Sequence, residues 1–270
     1  EETKKLADEI NAKKQKNIVA VTAAMEDGTG LNKFAKEYPE RFFNVEIAEE
    51  HALAMAAGMA KEGLKPVVPI YSSFLQRGYD QIIHDIALQK LPVVICVDRA
   101  GIVGNDGETH QGLLDMSFLN TIPNMTIVAP KDFNELEKML KFATEFNGPI
   151  AIRYPRGGEA ENCKFEINEK IRLGKVEIVK KGKDITIFAI GKMVAYALQT
   201  AIELKKENID VEVVNIRFLK PIDRKKVIES ATKTKNIITI EDGSLRGGLG
   251  TVINEILRNE DTNIKIKNMG

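Results

Sequence analysis

The residues best suited to chemistry fall in four short segments. In Ile47-Ala48-Glu49-Glu50-His51-Ala52, two carboxylates stand where an apolar run meets a stretch of small residues. Carboxylates in a first helical turn are favoured by the free N–H groups and the macrodipole, so ordinary helix capping is one reading. The apolar setting, Val45 and Ile47 before and Ala52 to Met59 after, gives the other. A carboxyl group removed from water there is suited to giving or taking a proton. The second segment, Asp98 to Gly112, holds Arg99, Asp106 and His110 among glycines at 101, 104, 107 and 112. It combines charge and proton transfer with a backbone that can approach a ligand closely; a loop with incidental polar residues is the alternative. In Tyr71-Ser72-Ser73-Phe74-Leu75-Gln76-Arg77, Phe74 is placed either to stack on a planar ring or to join the core. Finally, Arg153-Tyr154-Pro155-Arg156-Gly157-Gly158 offers an arginine beside two glycines, a fair phosphate ligand, with pairing to surface acids as the competing role.

These segments sit at the ends of predicted strands. Apolar runs at Asn17–Ala23, Phe42–Ile47, Pro66–Tyr71, Pro92–Asp98, Met125–Pro130 and Ile150–Tyr154 read as strands. Helical spacing between them predicts helices at Leu31–Glu37, Ala52–Lys61, Leu75–Leu88 and Asn134–Thr144. Alternation of this kind predicts an α/β doubly wound, mostly parallel sheet, whose strand carboxyl ends bind ligands. After a Gly- and charge-rich stretch the pattern restarts. Strands are predicted at Asp184–Ile190, Val211–Ile216, Asn236–Glu241 and Ile264–Ile266, with helices at Met193–Glu207 and Gly250–Arg258. The expected organisation is a domain over 1–158, a linker over 159–172, and a smaller doubly wound domain over 173–270, cut short at its end.

Composition narrows the partners. The 270 residues carry 39 Lys plus Arg against 39 Asp plus Glu, so neither nucleic acid nor an anionic membrane is an expected partner. No apolar run reaches the ~18 residues of a membrane span, and the charged, helix-like Glu1–Lys16 has no signal-peptide core. Cys96 and Cys163 fit neither a disulfide framework nor a metal site, and His51, His84 and His110 are the only histidines. A cytoplasmic protein without a metal centre of its own is expected.

In order, IAEEHA, IYSSFLQRGYDQIIHDIALQKLPV, DRAGIVGNDGETHQG, IPNMTIVAP and RYPRGG resemble the pyrimidine-binding domain of 1-deoxy-D-xylulose-5-phosphate synthase, a transketolase-like family. The resemblance continues as a transketolase-type C-terminal domain to residue 270. It implies a thiamine diphosphate-dependent condensation of pyruvate with glyceraldehyde 3-phosphate, with loss of carbon dioxide, serving isoprenoid precursor and thiamine biosynthesis. Glu49 matches the glutamate that hydrogen-bonds the cofactor's aminopyrimidine ring. Phe74 matches the aromatic stacked on that ring, and Ile47 lies against the same group. Tyr71, Arg99, Asp106, His110 and Arg156 match positions around the acceptor aldehyde, with His110 the choice for proton transfer. Glu46 and Glu50 stand where Asp and Gln are usual, and Gly78 replaces a common Ala. The Gly-Asp-Gly motif for diphosphate and Mg²⁺ is absent from this sequence, so that domain is an expected partner. A homodimer is also expected, and the isolated piece should bind no cofactor and be inactive. The alternatives are the C-terminal subunit of a split transketolase, or a non-catalytic dimerisation module.

Overall fold

The apolar runs of the first half pair side by side in the computed structural model, which describes residues 16–158, 165, 170–260 and 263–270. The expected N-terminal helix, Cys163 and most of the 159–172 linker lie outside the described residues. In chain order the strands are β1 (Ile18–Thr22), β2 (Phe42–Asn44), β3 (Lys65–Tyr71), β4 (Val94–Asp98), β5 (Thr126–Val128) and β6 (Ile150–Arg153). The second half adds β7 (Glu177–Lys180), β8 (Ile185–Ala189), β9 (Val211–Asn215), β10 (Phe218–Lys220), β11 (Asn236–Ile240) and β12 (Lys265–Met269).

Two sheets result. The first runs β10-β5-β6-β4-β3-β1-β2 and the second β12-β11-β8-β9-β7. All pairings are parallel except β10 on β5 and β7 on β9. The continuous apolar runs reflect burial on both faces. Val68, Ile70, Ile95, Val97 and Ala151 point to one side, while Val67, Val94, Cys96, Ile150 and Ile152 point to the other. The first side shares its core with Phe188, Val214, Leu219 and Ile253 from the second half. The α/β architecture read from the sequence is thus present, with the two halves joined by one continuous apolar core.

Two details near the site depart from the sequence reading. The single helix expected over Leu75–Leu88 is broken into Ser72–Leu75, a 3₁₀ turn at Gln76–Gly78, Tyr79–Gln81 and a π-helical stretch at Ile82–Ala87. Gly78 presses against the Glu49–Lys61 helix so closely that an added Cβ would overlap Leu53, and the chain turns there. The strand expected over Phe42–Ile47 stops at Asn44, because Glu46 adopts a left-handed φ of 57° and swings the chain into the Glu49–Lys61 helix.

Candidate functional site

Parallel pairing puts the carboxyl ends of β3, β4 and β6 level. Tyr71 lies opposite Asp98, and Val97 opposite Arg153. Glu49 begins its helix beside this edge and is 1% exposed. One of its carboxylate oxygens accepts a 2.6 Å hydrogen bond from Arg77 Nη1. The Arg77 guanidinium also lies 5.2 Å from the centre of the Phe74 ring. Phe74 in turn meets Tyr71 (5.7 Å between ring centres, stacked) and the His110 imidazole (5.1 Å, edge-on). Ile47, just before the helix, is 80% exposed.

Beyond Tyr71 the aromatic group gives way to charge. The Arg99 guanidinium covers the Tyr71 ring at 3.8 Å. Its Nε donates to Asp106 at 3.2 Å, and its Nη1 donates to the Gly28 carbonyl at 3.2 Å and to Asp98 at 3.1 Å. Asp106 also pairs with Arg156, so two arginines converge on one carboxylate. Gly28 is required by close approach, since an added Cβ would overlap the Tyr71 hydroxyl. Burial pushes the Tyr71 phenol up, an effect that Arg99 against its face opposes. The loop carrying Asp106 and His110 is closed at its base by reciprocal hydrogen bonds between Gly101 and Gly112. Gln111 braces it internally, accepting from Val103 N–H and donating to the Gly107 carbonyl. His110 Nδ1 faces the Thr109 hydroxyl at 3.0 Å and the residue is half-buried.

Arg153 has a different position. Its Nε donates to Asp115 at 2.8 Å and its Nη1 to Asp242 at 2.6 Å, with all three side chains buried. Asp115 also accepts from the Ser72 hydroxyl, two residues before Phe74. Asp242 belongs to the second half of the chain, so this ion-pair network ties that half to the floor of the site.

The structure therefore brings Glu49, Phe74, Tyr71, Arg99, Asp106, His110 and Arg156 into one continuous set of contacts, with Ile47 at its exposed rim. Sequence reasoning assigned no role to Arg77, Asp98 or Gln111. Arg77, one helical turn after Phe74, carried the clearest available signal. The donor set fits the pyrimidine half of a thiamine cofactor. It offers a buried carboxylate, an aromatic face, an uncovered aliphatic side chain, and a Ser73 hydroxyl oxygen that is buried without a hydrogen-bond partner among the described residues. The diphosphate half finds no such match. Among the described residues no group of three or more His, Cys, Asp or Glu side chains is arranged to hold a metal ion. Likewise, no described helix is long and apolar enough to cross a membrane.

Comparison with known proteins gives two family matches, the transketolase pyrimidine-binding domain over residues 5–158 and the transketolase C-terminal domain over residues 174–270. The chain is 54% identical over 248 residues to the 1-deoxy-D-xylulose-5-phosphate synthase of Clostridium perfringens, covering 91% of this chain and 40% of that protein. It is 50% identical over 263 residues to 1-deoxy-D-xylulose-5-phosphate synthase 1 of Geobacter sulfurreducens, covering 96% and 41% respectively. The chain thus spans about two fifths of these relatives. A split-gene transketolase, solved as an inactive β4 tetramer, superimposes with a TM-score of 0.88 at 35% identity, over 100% of this chain and 87% of that one. The transketolase of Campylobacter jejuni shares the fold, with a TM-score of 0.80 at 20% identity over 97% of this chain and 40% of its own.

Proposed function

This chain belongs to the transketolase family, and we propose that it supplies the pyrimidine-binding and C-terminal parts of an enzyme joining pyruvate to glyceraldehyde 3-phosphate, with release of carbon dioxide and formation of 1-deoxy-D-xylulose 5-phosphate. The observation that carries this reading is the unbroken run of contacts from Glu49 through Arg77, Phe74 and His110 to the Arg99–Asp106–Arg156 cluster. It joins a seat for a pyrimidine to a pair of cations suited to a phosphate. The identity to synthases from Clostridium perfringens and Geobacter sulfurreducens supports the same reaction.

Thiamine diphosphate, when bound, supplies the nucleophilic carbon and the electron sink for decarboxylation. The Glu49 carboxylate, held by Arg77, gives and takes a proton at the pyrimidine ring nitrogen, and its water-poor setting keeps that proton from the solvent. Phe74 and Ile47 hold the ring. Arg99 and Arg156 bind the acceptor's phosphate with charge-assisted hydrogen bonds, and Tyr71 and Asp106 orient its hydroxyl groups. His110, half-buried beside Phe74, moves a proton at the acceptor's carbonyl oxygen. The diphosphate and Mg²⁺ are held by a separate, diphosphate-binding part of the enzyme. On this reading the enzyme is a cytoplasmic homodimer serving isoprenoid precursor and thiamine biosynthesis, and this polypeptide alone binds no cofactor and turns nothing over. The test is glyceraldehyde 3-phosphate-dependent release of labelled carbon dioxide from pyruvate, with the purified chain alone and with the N-terminal part of the Clostridium perfringens synthase. Activity should need both; none in the mixture, with complex formation verified, would sink the assignment.

The 87% coverage of a split-gene transketolase favours one second reading, the C-terminal subunit of a two-chain transketolase. It predicts that xylulose 5-phosphate replaces pyruvate as donor in the same mixture.

A further inference from the structure

Arg99 is held in an unfavourable conformation. Its φ of 58° is left-handed, a region that non-glycine residues occupy only at an energetic cost. Such a conformation persists only where the surroundings fix it. Here the Ala100 N–H donates to the Tyr154 carbonyl at 3.1 Å, and the Arg99 N–H itself is taken at 2.6 Å by the carboxylate of the preceding residue, Asp98. The other Asp98 oxygen accepts from Arg99 Nη1. Both oxygens are therefore spent on one neighbour, one fixing its backbone and the other its guanidinium. Asp98 is 3% exposed, and burial, only partly opposed by Arg99, pushes its carboxyl up to about 6. An acid kept in such a place, at the end of a central strand and with every described hydrogen bond directed at Arg99, needs a reason beyond terminating β4.

The guanidinium it helps to hold has little freedom left. Nε is taken by Asp106, Nη1 by Gly28 and Asp98, and one face by the Tyr71 ring. Only Nη2 makes no hydrogen bond among the described residues. A long arginine side chain ordinarily loses considerable rotamer freedom on binding an anion. Arg99 has already lost it.

We propose that Asp98 is a positioning residue, which by gripping both the backbone and the guanidinium of Arg99 presets that arginine, beside Arg156, for the phosphate of the acceptor substrate. The inference rests on the reading of Arg99 as a phosphate ligand, and the experiment separates the two. In the assembled two-part enzyme, the Michaelis constants for glyceraldehyde 3-phosphate and for pyruvate are compared for the wild type, Asp98→Asn, Arg99→Ala and the double variant, with thermal unfolding of each chain as the control for folding. Asp98→Asn should raise the acceptor KM about tenfold and the pyruvate KM less than twofold. The double variant should be no worse than Arg99→Ala, because Asp98 acts through that arginine. If Arg99→Ala raises the acceptor KM while Asp98→Asn leaves it within twofold, the positioning role is overturned and the site stands. Fully additive effects in the double variant also overturn it. If Arg99→Ala itself has no effect on the acceptor KM, the phosphate-site reading falls and takes the inference with it. Should Asp98→Asn fold poorly, Asp98→Glu asks the same question, since it keeps the charge and displaces the carboxylate by one methylene; an unchanged acceptor KM there rejects the proposal.

Discussion

Arg153 and Arg156 stand in one hexapeptide, yet Arg153 has a side chain 2% exposed between two carboxylates, while that of Arg156 is 44% exposed and meets the Asp106 that Arg99 also holds. Strand geometry sets the difference. Arg153 is still in β6 and points to the same face as Ala151, where the Asp115–Thr121 helix and the second half of the chain close over it. Arg156 comes after Pro155, where the chain has left the strand and turns through Gly157 at a φ of 104°. Burial alone would lower the Arg153 pKa, but Asp115 and Asp242 outweigh burial and hold it above the ordinary arginine value. One arginine has its counter-charges built in and serves as a joint. The other shares a single carboxylate with a neighbour and is open to an outside anion.

Substitutions can break this contrast or sharpen it. The largest effect on turnover is expected at Glu49, on the open side. Glu49→Gln keeps an oxygen for Arg77 but removes the group that takes and returns a proton, so activity of the assembled enzyme should fall about 10²–10⁴-fold. Its unfolding curve should hardly move. Activity within roughly tenfold of wild type, under ~1.4 kcal/mol of barrier, would remove Glu49 from the chemistry.

At the joint the readout reverses. Arg153→Ala leaves Asp115 an uncompensated buried charge and Asp242 with Lys192 alone at 3.3 Å, and breaking a buried pair in this way typically costs about 3–5 kcal/mol. Urea unfolding of the chain should show that loss. A change below ~1 kcal/mol would mean that the joint is a solvated surface pair in all but appearance.

The sequence made one side of this contrast far more legible than the other. Apolar runs such as PVVICVD announce central strands, and Glu49, Phe74 and the DRAGIVGNDGETHQG loop stand at their ends in a recognisable order. The joint is invisible to local patterning, because Asp115, Arg153 and Asp242 meet only through tertiary packing. Edge strands were missed for a related reason. β7 is half-buried along its length, and β10 is three residues that cross over to extend the first sheet antiparallel to β5. Neither is long or apolar enough to show a period. Asp98 was hidden in plain view, since its hydrogen bonds depend on a left-handed Arg99 that no sequence pattern signals.

A smaller effect is expected at Arg156. Arg156→Ala removes one charge-assisted contact to phosphate, so the KM for glyceraldehyde 3-phosphate should rise ten- to hundredfold, equivalent to about 1.5–3 kcal/mol. The KM for pyruvate and the unfolding midpoint should stay in place. Equal rises for both substrates, or a loss of stability like that at Arg153, would make Arg156 a second joint and erase the comparison.

Lys65 sharpens the comparison from a third direction, as a buried cation with no carboxylate. It opens β3, is 8% exposed, and its ammonium donates to the Phe146 carbonyl; no ion pair to it is found among the described residues. Burial lowers its pKa from 10.5 to about 8, the opposite direction to Arg153. A folded-state pKa below the unfolded one means that the cost of burying the charge is present in full below about pH 8. Between about pH 8 and 10.5 the unfolded chain binds more protons than the folded one, so stability contributed at this position rises with pH through that window. Lys65→Met removes the charge and keeps much of the volume, and should stabilise the chain by about 1 kcal/mol at neutral pH even after the lost hydrogen bond. That advantage should shrink to nothing or reverse as the pH approaches about 10, because the wild-type amine is then neutral in its folded site. Urea unfolding of both proteins at neutral and alkaline pH reads the difference directly. A gap that stays constant across the window would show that Lys65 keeps its proton, and that a single carbonyl partner suffices where Arg153 uses two carboxylates.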